Sequence, residues 1–225
     1  MPFSGHAGAT RLLAIRHGET AWNVGARIQG HIDIPLNEHG RQQAQRLGRA
    51  LAEGDRPDVL YSSDLSRARE TAQAVADACD LPLHLDARLR ERCFGAFEGQ
   101  TIDEVRERDP ALAERWRRRE PDFVPPGNGE SLTVFFERCL AVVLGLAAAH
   151  PGQTVAFVAH GGVLDCLYRA ATGVSLEAHR SWSIENASVN RLLCSEGRLT
   201  LTGWGDVSHL APVGVLLDDA GDAAA

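Results

Sequence analysis

The sequence has few cysteines and no excess of basic residues. Its five cysteines are scattered, odd in number and without a C-x-x-C pair, a pattern that predicts reduced thiols rather than a disulfide framework. The chain carries 30 acidic against 23 basic residues, and its formal net charge is −7. Proteins that bind nucleic acids or anionic membranes usually present a basic face. We therefore expect neither partner.

Long hydrophobic runs are also absent. The longest, residues 140–149, is interrupted by Gly145 and is about half as long as a bilayer crossing requires, so it predicts a core helix. Residues 1–10 lack the basic start and the apolar stretch of an export signal, and we expect a cytoplasmic protein. These ten residues and the small, acidic residues 216–225 are predicted to be disordered.

What is present suits one globular domain. Apolar residues make up 44% of the 225 residues, which is enough for the core of a single α/β domain. We place that domain at residues 11–215. Within it, residues 93–135 combine short helical stretches with a proline-rich loop, and they predict a small cap inserted between the main elements.

Short apolar runs alternate with longer stretches of helical periodicity. Helices are predicted at residues 37–53, 65–79 and 161–171, and strands at residues 12–15, 58–62, 81–85, 154–159, 189–194 and 199–204. Pro82 makes the third strand an edge strand, and the last two strands form a hairpin. This alternation predicts a three-layer α/β/α fold with a mainly parallel sheet.

Polar residues follow three of the predicted strands. Arg16 and His17 come directly after the first strand, Arg67 follows the second, and His160 and Gly161 follow the fourth. In open α/β sheets, ligands bind at the carboxyl ends of the strands. We therefore expect two histidines and an arginine to meet at one edge of the sheet.

This set of residues suits phosphoryl transfer. A neutral histidine nitrogen attacks phosphorus without first losing a proton, and Arg16 and Arg67 can each direct two donors at the phosphoryl oxygens. Backbone amides at Gly161, where a loop enters a helix, favour an anion. A departing alkoxide needs a proton, for which Glu91, at the rear of the predicted cap, is the best candidate.

A metal site finds less support. The possible ligands are not arranged in an H-E-x-x-H motif, a paired acidic motif or a cysteine cluster. We expect no metal ion and no other cofactor. The residues considered for such a site are His17, His31, Asp33, His39 and His160.

Ordered motifs over residues 11–210 resemble the histidine phosphatase superfamily, in its phosphoglycerate-mutase-like branch. They are Arg16-His17-Gly18-Glu19-Thr20, Trp22-Asn23, Arg27 to Gly30, Asp33 to Asn37, Tyr61 to Arg67, Leu89 to Glu91, Gly129 to Ser131 and Val158 to Gly162.

The resemblance implies a role for each matching residue. It implies a phosphohistidine at His17, a phosphate pocket of Arg16, Arg67 and His160, and Glu91 as proton donor. It further implies secondary phosphate contacts from Asn23 and the backbone of Gly30, metal-independent chemistry and a small phosphorylated metabolite as the partner. For Asn23, a purely local role in a turn is equally supported.

The family contains both hydrolases and mutases. In the mutases that this chain resembles, a tyrosine occupies the position of Phe94. The mutases also carry a long insertion before the segment that matches Glu130-Ser131, whereas that segment is compact in this chain. Both departures favour a phosphomonoester hydrolase. The run Trp116 to Arg119 resembles a mutase segment that holds a substrate carboxylate, so a 2,3-bisphosphoglycerate-dependent phosphoglycerate mutase is the alternative. A non-catalytic binding module is a third possibility.

The predicted cap offers arginines for a second anionic group of the substrate. These are Arg92, Arg117 and Arg118, although charged runs usually form a solvated helix face. The sequence leaves open whether residues 116–119 line the site, which metabolite is bound, and the oligomeric state.

Overall fold

The computed structural model describes residues 8–211 of the chain. The disorder predicted for residues 216–225, and for most of residues 1–10, lies outside this range. Thr10, however, already belongs to the first strand, and its side chain is buried. The ordered domain therefore begins one residue earlier than predicted.

The described residues form one six-stranded mixed sheet with the order β3-β2-β4-β1-β5-β6. The strands are β1 (Thr10–Arg16), β2 (Val59–Ser62), β3 (Leu83–Leu85), β4 (Thr154–Ala159), β5 (Val189–Ser195) and β6 (Arg198–Asp206). Strands β3, β2, β4 and β1 pair in parallel, while β5 is antiparallel to both of its neighbours. The mainly parallel sheet, the edge position of β3 and the closing hairpin are confirmed.

Helices cover both faces of the sheet. They are α1 (Ala21–Val24), α2 (Glu38–Glu53), α3 (Ser66–Cys79), α4 (Ile102–Arg108), α5 (Pro110–Arg117), α6 (Leu132–Ala149) and α7 (Gly161–Thr172). Residues of α2 and α3 share one apolar cluster with β1, β2 and β4, and residues of α6 and α7 share another with the opposite face of the sheet. The three-layer α/β/α fold is confirmed.

Two details show how the sequence permits this packing. All six residues of β4 are buried, as a central strand covered on both faces requires. On α2, a Cβ at Gly48 would lie 3.0 Å from the backbone carbon of Ala74, closer than carbon atoms pack. The missing side chain allows α2 and α3 to approach closely.

Helix α6 is long and apolar enough to cross a membrane, with a mean hydropathy of 1.9; within residues 8–211 no other helix meets those criteria. Seven of its 18 residues are buried, and six of these pack with β1, β4 and α7 in the apolar cluster. These contacts are those of a core helix, as predicted for residues 140–149.

The cap is a small unit between β3 and α6. Its two short helices, α4 and α5, enclose a separate apolar cluster of Phe97, Val105, Ala113 and Phe123. The predicted insertion of residues 93–135 is too long at its end, because α6 already begins at Leu132. The Ser131 side chain accepts a hydrogen bond from the Val134 amide and caps this helix.

Candidate active site

The carboxyl-end edge of the sheet brings together the residues predicted to carry the chemistry. His17 follows β1, His160 follows β4 as the N-cap of α7, and Arg67 lies in the first turn of α3 after β2. The rings of His17 and His160 are 5.2 Å apart, centroid to centroid. The predicted convergence is therefore present, because neighbouring parallel strands end at the same edge.

His17 is held in one tautomer by its own backbone. Its Nδ1 lies 2.7 Å from the carbonyl oxygen of Gly18, which can only accept, so Nδ1 carries the proton. The neutral ring then leaves Nε2 unprotonated. Burial, reinforced by the positive charges of Arg67 and Arg16, lowers the pKa of His17 well below its usual value. The ring is therefore neutral at physiological pH, as a nucleophile must be.

His160 is fixed by two side chains. Arg67 donates from Nε to its Nδ1 at 3.2 Å, and its Nε2 donates to Ser63 Oγ at 2.9 Å. Burial is the main cause that lowers the pKa of His160 well below its usual value, with a further contribution from Arg67. Ser63 is fully buried and was not among the predicted site residues, because a serine after a strand carries no specific sequence signal.

Arg16 has a buried donor aimed toward the start of α7. Its Nη1 donates to the carbonyl oxygen of Ile184 at 2.5 Å, while its Nε has no hydrogen-bond partner within residues 8–211. A Cβ on Gly161 would lie 3.7 Å from this Nε. Since a buried unpaired donor is costly, an anionic oxygen bound between Arg16 and the α7 N-terminus would satisfy it.

Arg67 is also fully buried, but most of its contacts are to the protein. Besides His160, it donates from Nη1 to Ile32 O at 3.0 Å and from Nη2 to Gly30 O at 2.7 Å. Two of its five N–H groups remain for a phosphoryl group. Burial lowers the pKa of Arg67 to about 10, so the side chain stays cationic at neutral pH.

Gly30 contributes its backbone to the same edge. Its carbonyl accepts from Arg67 and orients that arginine, and the predicted phosphate contact of the Gly30 backbone stays a prediction. Its φ of 53° favours glycine, and any Cβ would collide with the Glu98 carboxylate. That carboxylate, in turn, accepts from the amides of His31, Ile32 and Phe94 and fixes the loop.

Glu91 lies against the first turn of α7. Its Oε2 accepts from the Gly162 amide at 2.9 Å, and its Oε1 accepts from the Arg92 amide at 2.9 Å. Gly162 leaves room for this carboxyl, because a Cβ there would lie 3.1 Å from Glu91 Cδ and nearer still to Oε1. Because residue 162 has no side chain, the carboxyl of Glu91, the candidate proton donor, can occupy this position.

Asn23 has a clear local role. Its Oδ1 accepts from the backbone amide and the hydroxyl of Thr20, which closes a capping box on α1. Asn186 donates from Nδ2 both to Asn23 Oδ1 at 3.3 Å and to the His17 carbonyl at 3.0 Å. The turn role is established by these bonds, and the predicted phosphate contact of Asn23 stays a prediction.

The cap arginines divide into buried and exposed residues. Arg92 is buried, donates to the carbonyls of Glu130 and Phe123, and has a pKa lowered to about 10 by burial. Arg117 and Arg118 both pair with Glu114, at 2.7 and 2.8 Å, on the exposed side of α5. Arg118 does not line the cavity described next, and its predicted role in substrate binding stays a prediction.

A cavity of about 750 Å³ opens from Glu91 and Gly162 toward the cap, a size typical of sites for small molecules. Trp116, Arg117 and Arg119 line it, but most of the remaining charged residues on its wall were not predicted. These include Arg106, Glu114, Asp165, His179 and Arg180. Arg119 turns inward with a φ of 54° and pairs with Asp165 of α7 at 2.8 Å.

Similarity to known proteins agrees with this geometry. Residues 12–207 match the histidine phosphatase superfamily (branch 1). The chain is 39% identical over 207 residues to phosphoglycerate mutase-like protein 4 of Arabidopsis thaliana, with 91% of this chain and 89% of that protein covered. It is 36% identical over 208 residues to the metal-independent phosphoserine phosphatase of the same plant, with 92% and 86% covered.

A solved structure extends the comparison to the fold. A mutant of the Entamoeba histolytica phosphoserine phosphatase in complex with phosphoserine is 28% identical, with a TM-score of 0.81. The similarity covers 90% of this chain and 100% of that one. The family match includes residues of all six strands as well as His17, Arg67, Glu91 and His160. This chain belongs to the histidine phosphatase superfamily.

Proposed function

We propose that this phosphomonoester hydrolase transfers the phosphoryl group of a small metabolite to Nε2 of His17 and then to water, without a metal ion. The observation that carries the proposal is the state of His17. The ring is neutral, its proton is fixed on Nδ1 by Gly18, and Nε2 is therefore available as a nucleophile.

In the first step, the Nε2 lone pair attacks phosphorus and the bond to the ester oxygen breaks. Glu91 gives its proton to the departing oxygen, and His17 becomes a phosphohistidine. Arg16 and Arg67 face the phosphoryl oxygens with buried cationic donors, which stabilise charge best where water is excluded. They supply the charge that a divalent cation would otherwise provide.

In the second step, Glu91 acts as a base. It takes a proton from a water molecule as the water oxygen attacks phosphorus, and the bond to Nε2 breaks. Inorganic phosphate leaves, and both His17 and Glu91 return to their starting protonation states. The same carboxyl serves both steps because the amides of Gly162 and Arg92 hold its two oxygens at the N-terminus of α7.

Hydrolysis is favoured over phosphoglycerate mutase activity by the cap. Phe94 packs edge-on against Trp116, with ring centroids 5.0 Å apart, and offers no hydroxyl to the site. Arg117 and Arg118 both pair with Glu114, and both arginine side chains are exposed. A mutase must clamp both ends of its intermediate and exclude water, for which these exposed arginines give little support.

The substrate we propose is a small phosphorylated metabolite. The cavity volume supports it, as does the relative named a metal-independent phosphoserine phosphatase. The net negative charge of the chain supports neither nucleic acid nor a membrane as partner. The scattered, unpaired cysteines support a place in the reducing cytoplasm.

The test follows both products in one reaction. With 3-phosphoglycerate, primed by 2,3-bisphosphoglycerate, we expect phosphate release to exceed formation of 2-phosphoglycerate. His17→Ala should lose turnover, and rapid quench of the wild type should trap acid-labile, base-stable phosphate on the protein. Isomerisation about a hundredfold faster than phosphate release, a barrier difference of about 2.7 kcal/mol, would establish the mutase alternative. Near-normal activity of His17→Ala would refute the phosphohistidine.

A further inference from the structure

We propose that Arg180, in the loop between α7 and β5, binds a carboxylate on the substrate whose phosphoryl group reaches His17. This inference rests on the proposed function, because it concerns the far end of the same substrate. In this proposal Arg180, rather than Arg117 and Arg118 of the cap, selects a second anionic group on the substrate.

The cavity wall is basic although the protein is acidic. Five arginines and three carboxylates line it, together with His179, whereas the whole chain has a net charge of −7. A local positive potential in a cleft raises the concentration of anionic ligands there. Arg16 and Arg67, which face the phosphoryl group in the proposed mechanism, do not line this cavity; Glu91 and Gly162 lie between it and the catalytic edge.

Of the five arginines, four are engaged by the protein. Arg92 donates to two backbone carbonyls, and the others pair with acidic neighbours: Arg106 with Asp103, Arg117 with Glu114, and Arg119 with Asp165. Arg180 is an exposed side chain that lines the cavity, and among the five, within residues 8–211, only its guanidinium has no hydrogen-bond or ion-pair partner. Its guanidinium is therefore available to a ligand without breaking a contact.

The loop holds the backbone of Arg180 near the catalytic edge. On one side, Arg119 donates from Nε to the Leu176 carbonyl at 2.8 Å. On the other, Trp182 stacks on Tyr168 at 4.0 Å, and Arg16 donates to the Ile184 carbonyl. Burial lowers the pKa of Arg16, and the positive charge of Arg180 adds to that effect.

These observations favour a single carboxylate. One unpaired guanidinium matches one carboxylate in charge, and its fork of N–H groups fits the two oxygens. A substrate with phosphate at one end and a carboxylate at the other would satisfy both Arg16 Nε and Arg180. Its two anionic ends would lie on either side of Glu91, where the ester oxygen must sit.

The test compares two esters that differ only at the far end. 3-Phosphoglycerate carries a carboxylate where glycerol 3-phosphate carries a hydroxymethyl group. We expect Arg180→Gln to lower kcat/KM for 3-phosphoglycerate about tenfold and to leave that for glycerol 3-phosphate within about twofold. Arg180→Glu should enlarge the difference, and Arg180→Lys should restore part of it. Arg108→Gln, at an exposed cap arginine that does not line the cavity, is the matched control and should change neither ester.

The outcomes separate the two proposals. p-Nitrophenyl phosphate, which has no second anion, reports the basic hydrolytic reaction and the integrity of the fold in every variant. If Arg180→Gln hydrolyses all three esters as the wild type does, or loses activity equally on all three, the role of Arg180 is refuted and the hydrolase stands. If the wild type releases phosphate from none of them, the proposed function fails and this inference fails with it.

Discussion

Replacing Gly162 by alanine should damage catalysis by displacing Glu91. A Cβ at this position would lie 3.1 Å from Glu91 Cδ and 3.0 Å from Phe135 Cε1, whereas carbon atoms in contact settle at about 3.5–4.0 Å. The Phe135 ring is buried in the core, so the carboxyl is the group that moves. Glu91 Oε1 would lie nearer still to the new Cβ, so the carboxyl must shift by about 1 Å, which breaks the 2.9 Å bond from the Gly162 amide to Glu91 Oε2.

The size of the effect follows from that displacement. Misplacing a catalytic group by about 1 Å costs on the order of a hundredfold in rate, or about 2.7 kcal/mol of barrier. We expect kcat/KM to fall by about this factor for glycerol 3-phosphate, whose alkoxide must be protonated. For p-nitrophenyl phosphate the loss should stay within about threefold, because nitrophenolate leaves without a proton.

Phosphate release from the two esters, measured side by side, is the assay. Gly145→Ala provides the matched control, because its Cβ would meet no heavy atom within 4 Å on α6, and both esters should be hydrolysed as by the wild type. Circular dichroism of Gly162→Ala should match the wild type, since alanine favours helix over glycine. Equal losses on both esters in a folded variant, or no loss on either, would refute the assignment of Glu91 as proton donor.

Three further predictions concern stability, metals and the second histidine. Burial, with a smaller contribution from the charges of Arg67 and Arg16, holds the pKa values of His17 and His160 well below 6.5. Below pH 6.5 these two histidines therefore bind protons in the unfolded chain but not in the folded chain. The free energy of unfolding from urea titrations should therefore fall as the pH drops from 6.5 to 5, by up to about 1.4 kcal/mol per pH unit for each histidine; a flat profile would contradict the buried neutral rings. Activity should survive dialysis against EDTA, because Arg16 and Arg67 supply the positive charge, and loss with rescue by Mg²⁺ would show otherwise. Ser63→Ala should lower kcat/KM by about 5- to 150-fold, since it leaves the buried His160 Nε2 proton without its acceptor, a cost of about 1–3 kcal/mol. The control is Ser62→Ala, which removes the hydroxyl that bonds to the Ser63 carbonyl, and equal losses in both variants would argue against the role of Ser63.

The sequence alone determined the sheet and the catalytic edge, because both depend on local patterns. The apolar run of β4 and the helical periodicity of α2 and α3 are short-range signals, and they predicted three layers correctly. Once the strands are parallel, the residues that follow them must meet at one edge. His17, Arg67 and His160 could therefore be brought together without knowing any distance between them.

Only the tertiary structure decided which groups face the substrate and which face the protein. Arg117, Arg118 and Arg119 are consecutive in the sequence, yet the first two pair with Glu114 and the third turns inward to Asp165. Arg117 and Arg119 line the cavity, whereas Arg118 does not. Arg180 lies in a loop with no periodic pattern, and the contacts that hold this loop come from Arg16 and Arg119, far away in the sequence. A side chain's direction depends on such distant partners, and no local pattern encodes them.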